Sequence, residues 1–308
     1  MSEAGATRAA TLAQAGQQAV VRSEGYLQGA WRRFRRDRFS MAALILFALI
    51  CLMSLAAPLI SAHILHADPN RGRLTQKFRS PGSEHWLGTD DFGRDVAARL
   101  VHAGRVSLSI GFGATAIALV IGVSLGLIAA YYGRWADDTI NAVIQVLNNI
   151  PGLFLFILIS VLFRPGVAGL AVIFGVIGWT GIARLVRFRV LTERRRDYVD
   201  AATAIGVHPL RIMFRHILPN VSSIILVLAG AEIFSVILAE AGISYLGFGV
   251  QIPTASWGNM LSKSFDYFNQ APWLVVAPGV MVVLTVTCLY QLTDGLRDAL
   301  DPRLKSSQ

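Results

Sequence analysis

Apolar residues fall into six long runs along the chain: Met41 to Ile60, Val106 to Tyr131, Ile140 to Phe163, Val167 to Val186, Ile224 to Leu246 and Trp273 to Leu292. Each approaches or exceeds the ~20 residues needed to cross a hydrocarbon core of ~30 Å. Backbone groups in lipid must be satisfied within the segment, so the runs predict six transmembrane helices in an all-α membrane protein. Their lengths exclude the shorter strands of an outer-membrane barrel. The polar intervals differ in kind. The interval from His63 to Arg99 carries Pro69, Pro81 and several glycines, and its end, HWLGTDDFGRD, reads as a folded interfacial turn. The interval from Asp197 to Asn220 is too rich in arginine to span, yet it is patterned as two short helices.

In the first of these helices, Tyr198, Ala201, Ala202 and Ile205 recur at i, i+3, i+4 and i+7, one face of a 3.6-residue period. Gly206 permits a left-handed turn. Pro209 suits the first turn of the second helix, where its missing N–H is no loss. That helix sets Leu210, Met213, Phe214 and Ile217 on one face, and Pro219 is expected to end it before the next span. A basic amphipathic helix lying on headgroups would explain the second half alone. It leaves the alanine face and the Gly and Pro punctuation unexplained, so the segment is read as a helix–turn–helix that docks a partner.

Composition agrees with the membrane class. Hydrophobic residues make up 54% of the chain and charged residues only 15%. Mean hydropathy is +0.53. The cations set an expected orientation. Residues 1–40 hold seven cations against three acids, and Arg184 to Arg215 holds eight arginines against Glu193, Asp197 and Asp200. Both regions and the C-terminus then face the cytoplasm. Topology accounts for much of the +9 net charge, so no nucleic-acid partner is implied. The basic N-terminal stretch also favours anionic membrane lipid. About 40 residues precede the first run, which is longer than a signal h-region, so no cleavable signal is expected. The expected organisation is a mobile basic tail (1–40), a first helix (41–62), an extracytoplasmic segment (63–99), a five-helix core (100–295) containing the 197–220 loop, and a cytoplasmic tail (296–308).

Within the spans, Gly122 and Gly126 have the spacing that lets helices approach closely, with flexible gating as the alternative. Asn148, Asn149 and Pro151 interrupt the third run, predicting a kink or a polar helix contact. Glu232 and Glu240 are the conspicuous acids of the fifth run. Both are candidates for lining a pathway. Glu240 is expected near the outer end, where solvent lowers its cost; for Glu232 the alternatives are a partner subunit or a structural hydrogen bond. Cys51 and Cys288 lie in different spans and read as small buried hydrophobes, with no metal or redox motif.

The loop resembles the EAA loop of binding-protein-dependent ABC importer permeases, through Asp200-Ala201-Ala202, Gly206 and Leu218-Pro219. LGTDDFGRDV, RVSLSIG, YYGRWAD, FRHILPN, SYLGFGVQIPTASWGNML, APW and DGLRDALDPRL, in that order, are similar to the C-type permease subunit of dipeptide and oligopeptide importers, over roughly residues 30–305. Asp200 stands where the family usually has Glu, and Ile252-Pro253 replaces the more frequent Pro-Pro. The resemblance implies a type I importer permease fold and alternating access driven by two cytoplasmic ATPase subunits. It also implies a second homologous permease and an extracytoplasmic substrate-binding protein. Asp200, Ala201, Ala202, Gly206, Pro209, Leu210, Phe214 and Pro219 would then couple the chain to its ATPase. No cofactor is implied in this chain; ATP and Mg would sit in the partner ATPases.

None of Lys77, Lys263 and Lys305 follows a glycine, so there is no phosphate loop, and a non-catalytic subunit is expected. Rival classes are an intramembrane enzyme and a stand-alone channel or secondary transporter. For the first, His63-x-x-His66 beside Asp68 is a thin metal motif. For the second, Glu232 is a single pathway charge where several would be expected. Within the family, nickel complexes, haem, opines or oligosaccharides are alternative cargoes.

Overall fold

The structure, a computed structural model, describes residues 26–300. Residues 1–25 of the tail expected over 1–40 and the end of the chain from residue 301, including Lys305, lie outside the described residues. The helices are α1 (Tyr26–Arg36), α2 (Arg38–Leu55), α3 (Ala57–His63), α4 (Val96–Tyr132), α5 (Arg134–Asn149), α6 (Gly152–Phe163), α7 (Val167–Glu193), α8 (Asp197–Ala204), α9 (Pro209–Arg211), α10 (Leu218–Tyr245), α11 (Trp257–Leu261) and α12 (Trp273–Leu300). Among the described residues the only β pairing is one bridge between Thr89 and Asp95.

Among the described residues five helices are long and apolar enough to cross a membrane, and the α5–α6 pair makes a sixth crossing only as a broken span bent by 80°. Pro151 explains the break. It cannot donate to a helical ladder and holds Ile150 extended at ψ 123°. Both expectations for the third run are met, because Asn148 also accepts a hydrogen bond from Thr180 of α7 at 3.1 Å. The first run is likewise divided, at Ala56, with Pro58 in the opening turn of α3.

The tail expected to be mobile through residue 40 becomes helical at Tyr26. Phe34 and Ala30 are buried, and the Arg33 guanidinium donates twice to the Ala299 carbonyl, at 3.0 and 2.6 Å, near the end of α12. Asp37 then caps α2 through the backbone N–H groups of Phe39 and Ser40.

Helices α4 and α7 pack along their lengths because glycines remove the side chains between them. A Cβ on Gly122 would stand 2.8 Å from the Trp179 carbonyl, one on Gly126 2.7 Å from that of Ala183, and one on Gly175 2.8 Å from that of Ala114. These positions show the close approach of the two helices. Leu127, Ile144, Trp179, Ile182 and Val186 form a core at one end of this pair, and Val199, Ala202, Met213 and Ile217 from the 197–220 loop complete it. At the other end Leu100, Leu108, Ile237 and Trp257 tie α4 and α10 to α11.

Candidate functional site: the loop between α7 and α10

The loop is built from its punctuation. Helix α8 closes with a Schellman arrangement. Gly206, at φ +77°, donates to the Thr203 carbonyl at 3.0 Å, and Val207 donates to that of Ala202 at 3.1 Å. The accompanying apolar contact is also present, since Val207 packs on the core that holds Ala202. Nothing lies within 4 Å of a Cβ built on Gly206, so the glycine answers to backbone conformation and not to crowding within this chain.

The second helix is not a separate element. After α9 a π-helical segment, Ile212–Ile217, leads directly into α10, and Pro219 lies inside the opening turn of that helix. Pro219 is therefore not the stop that the sequence pattern predicts. The wide π turns just before it change the bonding register where the proline ring would clash with the carbonyl four residues earlier. The loop therefore runs into the span without a break in helical structure.

Two expected faces are each divided. Val199 and Ala202 turn inward, whereas Tyr198, Ala201 and Ile205 turn outward; Met213 and Ile217 are buried, whereas Leu210 and Phe214 are exposed. A broad apolar stripe on a short helix can serve two surfaces, and periodicity does not say where one ends. Of the eight residues expected to couple, Asp200, Ala201, Gly206, Leu210, Phe214 and Pro219 are exposed, Pro209 is half-buried and Ala202 is buried. Ala202 thus packs the loop against the bundle instead of presenting it. Ile205 has the largest exposure of the apolar group, at 81%, beside Leu210 at 51% and Phe214 at 50%.

Tyr198 closes the base of the loop. Its hydroxyl donates to Glu193 at the end of α7 (3.1 Å) and accepts from Asn220 at the start of α10 (3.3 Å). Burial, and then the Glu193 carboxylate, push this phenol up to about 12. Earlier on α7, the Arg187 guanidinium clamps Asp137 of α5 with two nitrogens. Neither Tyr198 in this role nor the clamp is anticipated by the sequence pattern: each pairing joins positions that only the fold brings together.

The two acids of α10 part company. Glu240, expected to line a pathway near solvent, is 1% exposed. It accepts from Ser107 of α4 at 3.0 Å and Ser244 at 2.6 Å, with Ser256 a third hydroxyl partner. The same serines reach onward, Ser107 accepting from Trp257 N–H and Ser244 from Val250 N–H. Hydroxyls, not solvent, make its burial tolerable, and the corrected role is a structural anchor. Glu232 is half-buried, has no hydrogen bond among the described residues, and lies against α7, where a Cβ on Gly178 would meet its carboxylate at 2.5 Å.

The histidine pair is not convergent: His63 and His66 each engage a carbonyl of the preceding turn, Leu59 and Ala62. No group of three metal-ligating side chains occurs among the described residues.

The family described as "Binding-protein-dependent transport system inner membrane component" matches residues 122–306, and the "N-terminal TM domain of oligopeptide transport permease C" matches residues 25–76. The dipeptide transport system permease protein DppC of Alkalihalophilus pseudofirmus is 37% identical over 90% of each chain. The oligopeptide transport system permease protein OppC of Bacillus subtilis is 36% identical over 90% of this chain and 89% of its own length. The glutathione transport system permease protein GsiD of Pectobacterium atrosepticum is 36% identical over 90% and 91%. A chain of the MetNI methionine ABC transporter, solved in inward-facing conformations, superposes with a TM-score of 0.54 at 20% identity, covering 66% of this chain and 96% of its own. That likeness establishes a shared fold. By the match over more than half its length and by these relatives, the chain belongs to the family of inner membrane components of binding-protein-dependent transport systems.

Proposed function

We propose that the chain is a non-catalytic permease subunit that forms half of a translocation pathway for dipeptides or oligopeptides. It pairs with a second permease, two ATP- and Mg-binding ATPase subunits, and an extracytoplasmic binding protein. The arginine distribution supports a cytoplasmic placement for the 197–220 loop and both termini. The names of the peptide permease relatives support the cargo class.

The observation that carries the docking role is the loop's division into two surfaces. Val199, Ala202, Met213 and Ile217 fix it to the bundle, while Ile205, Leu210 and Phe214 stand exposed around the Gly206 turn. An apolar cluster on an arginine-rich loop is costly to leave uncovered, and a groove on an ATPase would cover it. Because the loop continues through the π segment into α10, movement of the ATPase passes directly to a pathway helix. Glu232, on the same helix, is the pathway-lining candidate that remains.

Gly206→Val and Gly206→Asn test the assignment together. Asparagine tolerates the left-handed backbone, whereas a β-branched valine does not. Both variants are expected to insert and to assemble with the partner permease. If only the turn matters, Gly206→Asn retains uptake; if the partner's surface also needs the missing Cβ, both lose peptide-stimulated ATPase activity. Normal dipeptide uptake by Gly206→Val would sink the docking role.

A further inference from the structure

Helix α5 divides its circumference into three. Ala136 and Ile144 are buried against the bundle, and Asp137 and Asn148 turn to α7, where Arg187 and Thr180 hold them. Trp135, Val143 and Val146 stand exposed on an apolar side. A polar edge runs between the two. Asp137, Asp138, Asn141, Gln145, Asn148 and Asn149 fall within about 120° of arc at 3.6 residues per turn. On the outer part of that edge Asp138, Gln145 and Asn149 are exposed. None of these three side chains has a hydrogen bond or ion pair among the described residues.

The edge begins beside the 197–220 loop, where Arg194 donates to the Ala130 carbonyl at the end of α4. From there it enters the membrane. Thr180, the partner of Asn148, is the midpoint of α7 (Val167–Glu193) and lies inside its apolar run. The break between α5 and α6 therefore stands within the hydrocarbon and not at its surface. There Asn149, Ile150, Pro151 and Gly152 are all exposed, and no side chain caps the first turn of α6. Glu232 lies at nearly the same depth, against Gly178, two residues from Thr180 on α7.

Lipid satisfies none of these groups. Non-helical backbone at membrane depth is tolerated only against protein or water. A neighbouring helix is a poor match, because its own backbone groups are already bonded to one another, whereas a water-filled cleft supplies a partner to each amide. Beyond the break the requirement vanishes, since Leu153, Phe154, Leu158 and Leu162 of α6 are exposed and apolar.

We propose that the edge formed by Asp138, Gln145 and Asn149 is a wall of the cytoplasmic half of the translocation pathway, and that its water ends at the Pro151 break. Each amide offers a donor and an acceptor, the complement of a peptide group, so the edge holds a cargo's backbone without reading its side chains. This assignment rests on the transport role and on the cytoplasmic placement of the 197–220 loop.

The test is thiol accessibility in the assembled transporter, in inside-out vesicles, with Cys51 and Cys288 replaced by alanine. Gln145 and Asn149 have no side-chain hydrogen bond to lose, so their variants should assemble normally. Gln145→Cys and Asn149→Cys should react with a membrane-impermeant methanethiosulfonate at least about tenfold faster than Val146→Cys on the apolar side, because a thiol in hydrocarbon does not ionise. Labelling either polar position should also stop dipeptide uptake by a transporter that was active beforehand. Equal rates at Gln145→Cys and Val146→Cys, or unreactive thiols at both polar positions, would overturn the wall. Labelling that leaves uptake unchanged would overturn it too, by making the edge a wet crevice off the path. A transporter that takes up no dipeptide yet keeps the reactive edge would count against the peptide cargo and still support the wall.

Discussion

At the Tyr245 end of α10, Glu240 is sealed among serine hydroxyls and fastened to α4 and to the segment before α11. At the Leu218 end, the helix runs through a π segment into a loop whose Ile205, Leu210 and Phe214 are uncovered. One end completes its interactions within the chain, and the other leaves them to be completed by something else. The proposed coupling would use both: a point that stays and a point that is pushed. Substitutions at the first end should therefore damage the fold, and those at the second should damage coupling while sparing the fold.

The largest expected effect is Glu240→Ala. It strands the hydroxyls of Ser107 and Ser244, and each buried group left unsatisfied costs about 1–3 kcal/mol. The detergent-purified chain should lose its monodisperse peak on size exclusion or unfold at a clearly lower temperature. Glu240→Gln keeps an acceptor oxygen and should be milder. An unaffected Glu240→Ala would show that this end is not an anchor.

Next comes Ile205→Asp. Removing an exposed apolar anchor from an interface costs about 2 kcal/mol or more, which corresponds to about thirtyfold in affinity. Co-purification of the ATPase should fall accordingly, while thermal stability of the isolated chain stays within about 0.5 kcal/mol, as for surface substitutions generally. A fall in stability instead would show that Ile205 holds the fold and not an interface.

Arg187→Lys is smaller. It keeps the charge but reduces the two-point clamp on Asp137 to a single contact. A loss of about 0.5–1.5 kcal/mol is expected, the worth of one hydrogen bond, read as a modest drop in unfolding temperature. The size of that drop measures how firmly α5 is held to α7.

What was legible in the residues follows the same division. The spans, the break at Pro151 and the turn at Gly206 could be read because hydropathy, proline and positive φ act locally. The division of the loop's apolar faces could not, because Val199 and Tyr198 are neighbours that serve opposite surfaces. Pro219 misled because a π segment absorbs the proline, and the sequence pattern there reads as an ordinary helix end. Glu240 misled because its partners, Ser107 and Ser256, are distant in the chain and look like unremarkable small residues of spans and loops. Chemistry that depends on long-range pairing was hidden, and chemistry written into one or two turns was visible.

The smallest effect, and the one that locates the boundary between the two behaviours, concerns Tyr198. Its hydroxyl bridges Glu193 and Asn220, so it holds the two ends of the loop together while the apolar cluster beyond it stays exposed. With the phenol raised to about 12 in the folded chain, against about 10 when unfolded, it is neutral in both states below pH ~10. Between pH ~10 and about 12 the unfolded chain releases this proton and the folded chain keeps it, so stability is full below the window and is lost as pH rises through it. Because the side chain is more than a third exposed, Tyr198→Phe should cost less than about 1 kcal/mol at neutral pH. The phenolate absorbance of the unsubstituted chain minus that of Tyr198→Phe isolates one tyrosine and should show it titrating late. A difference curve centred at the ordinary phenol value would mean that the loop's base is open, and the continuous path from loop to helix would then begin at the buried Met213 and Ile217 instead.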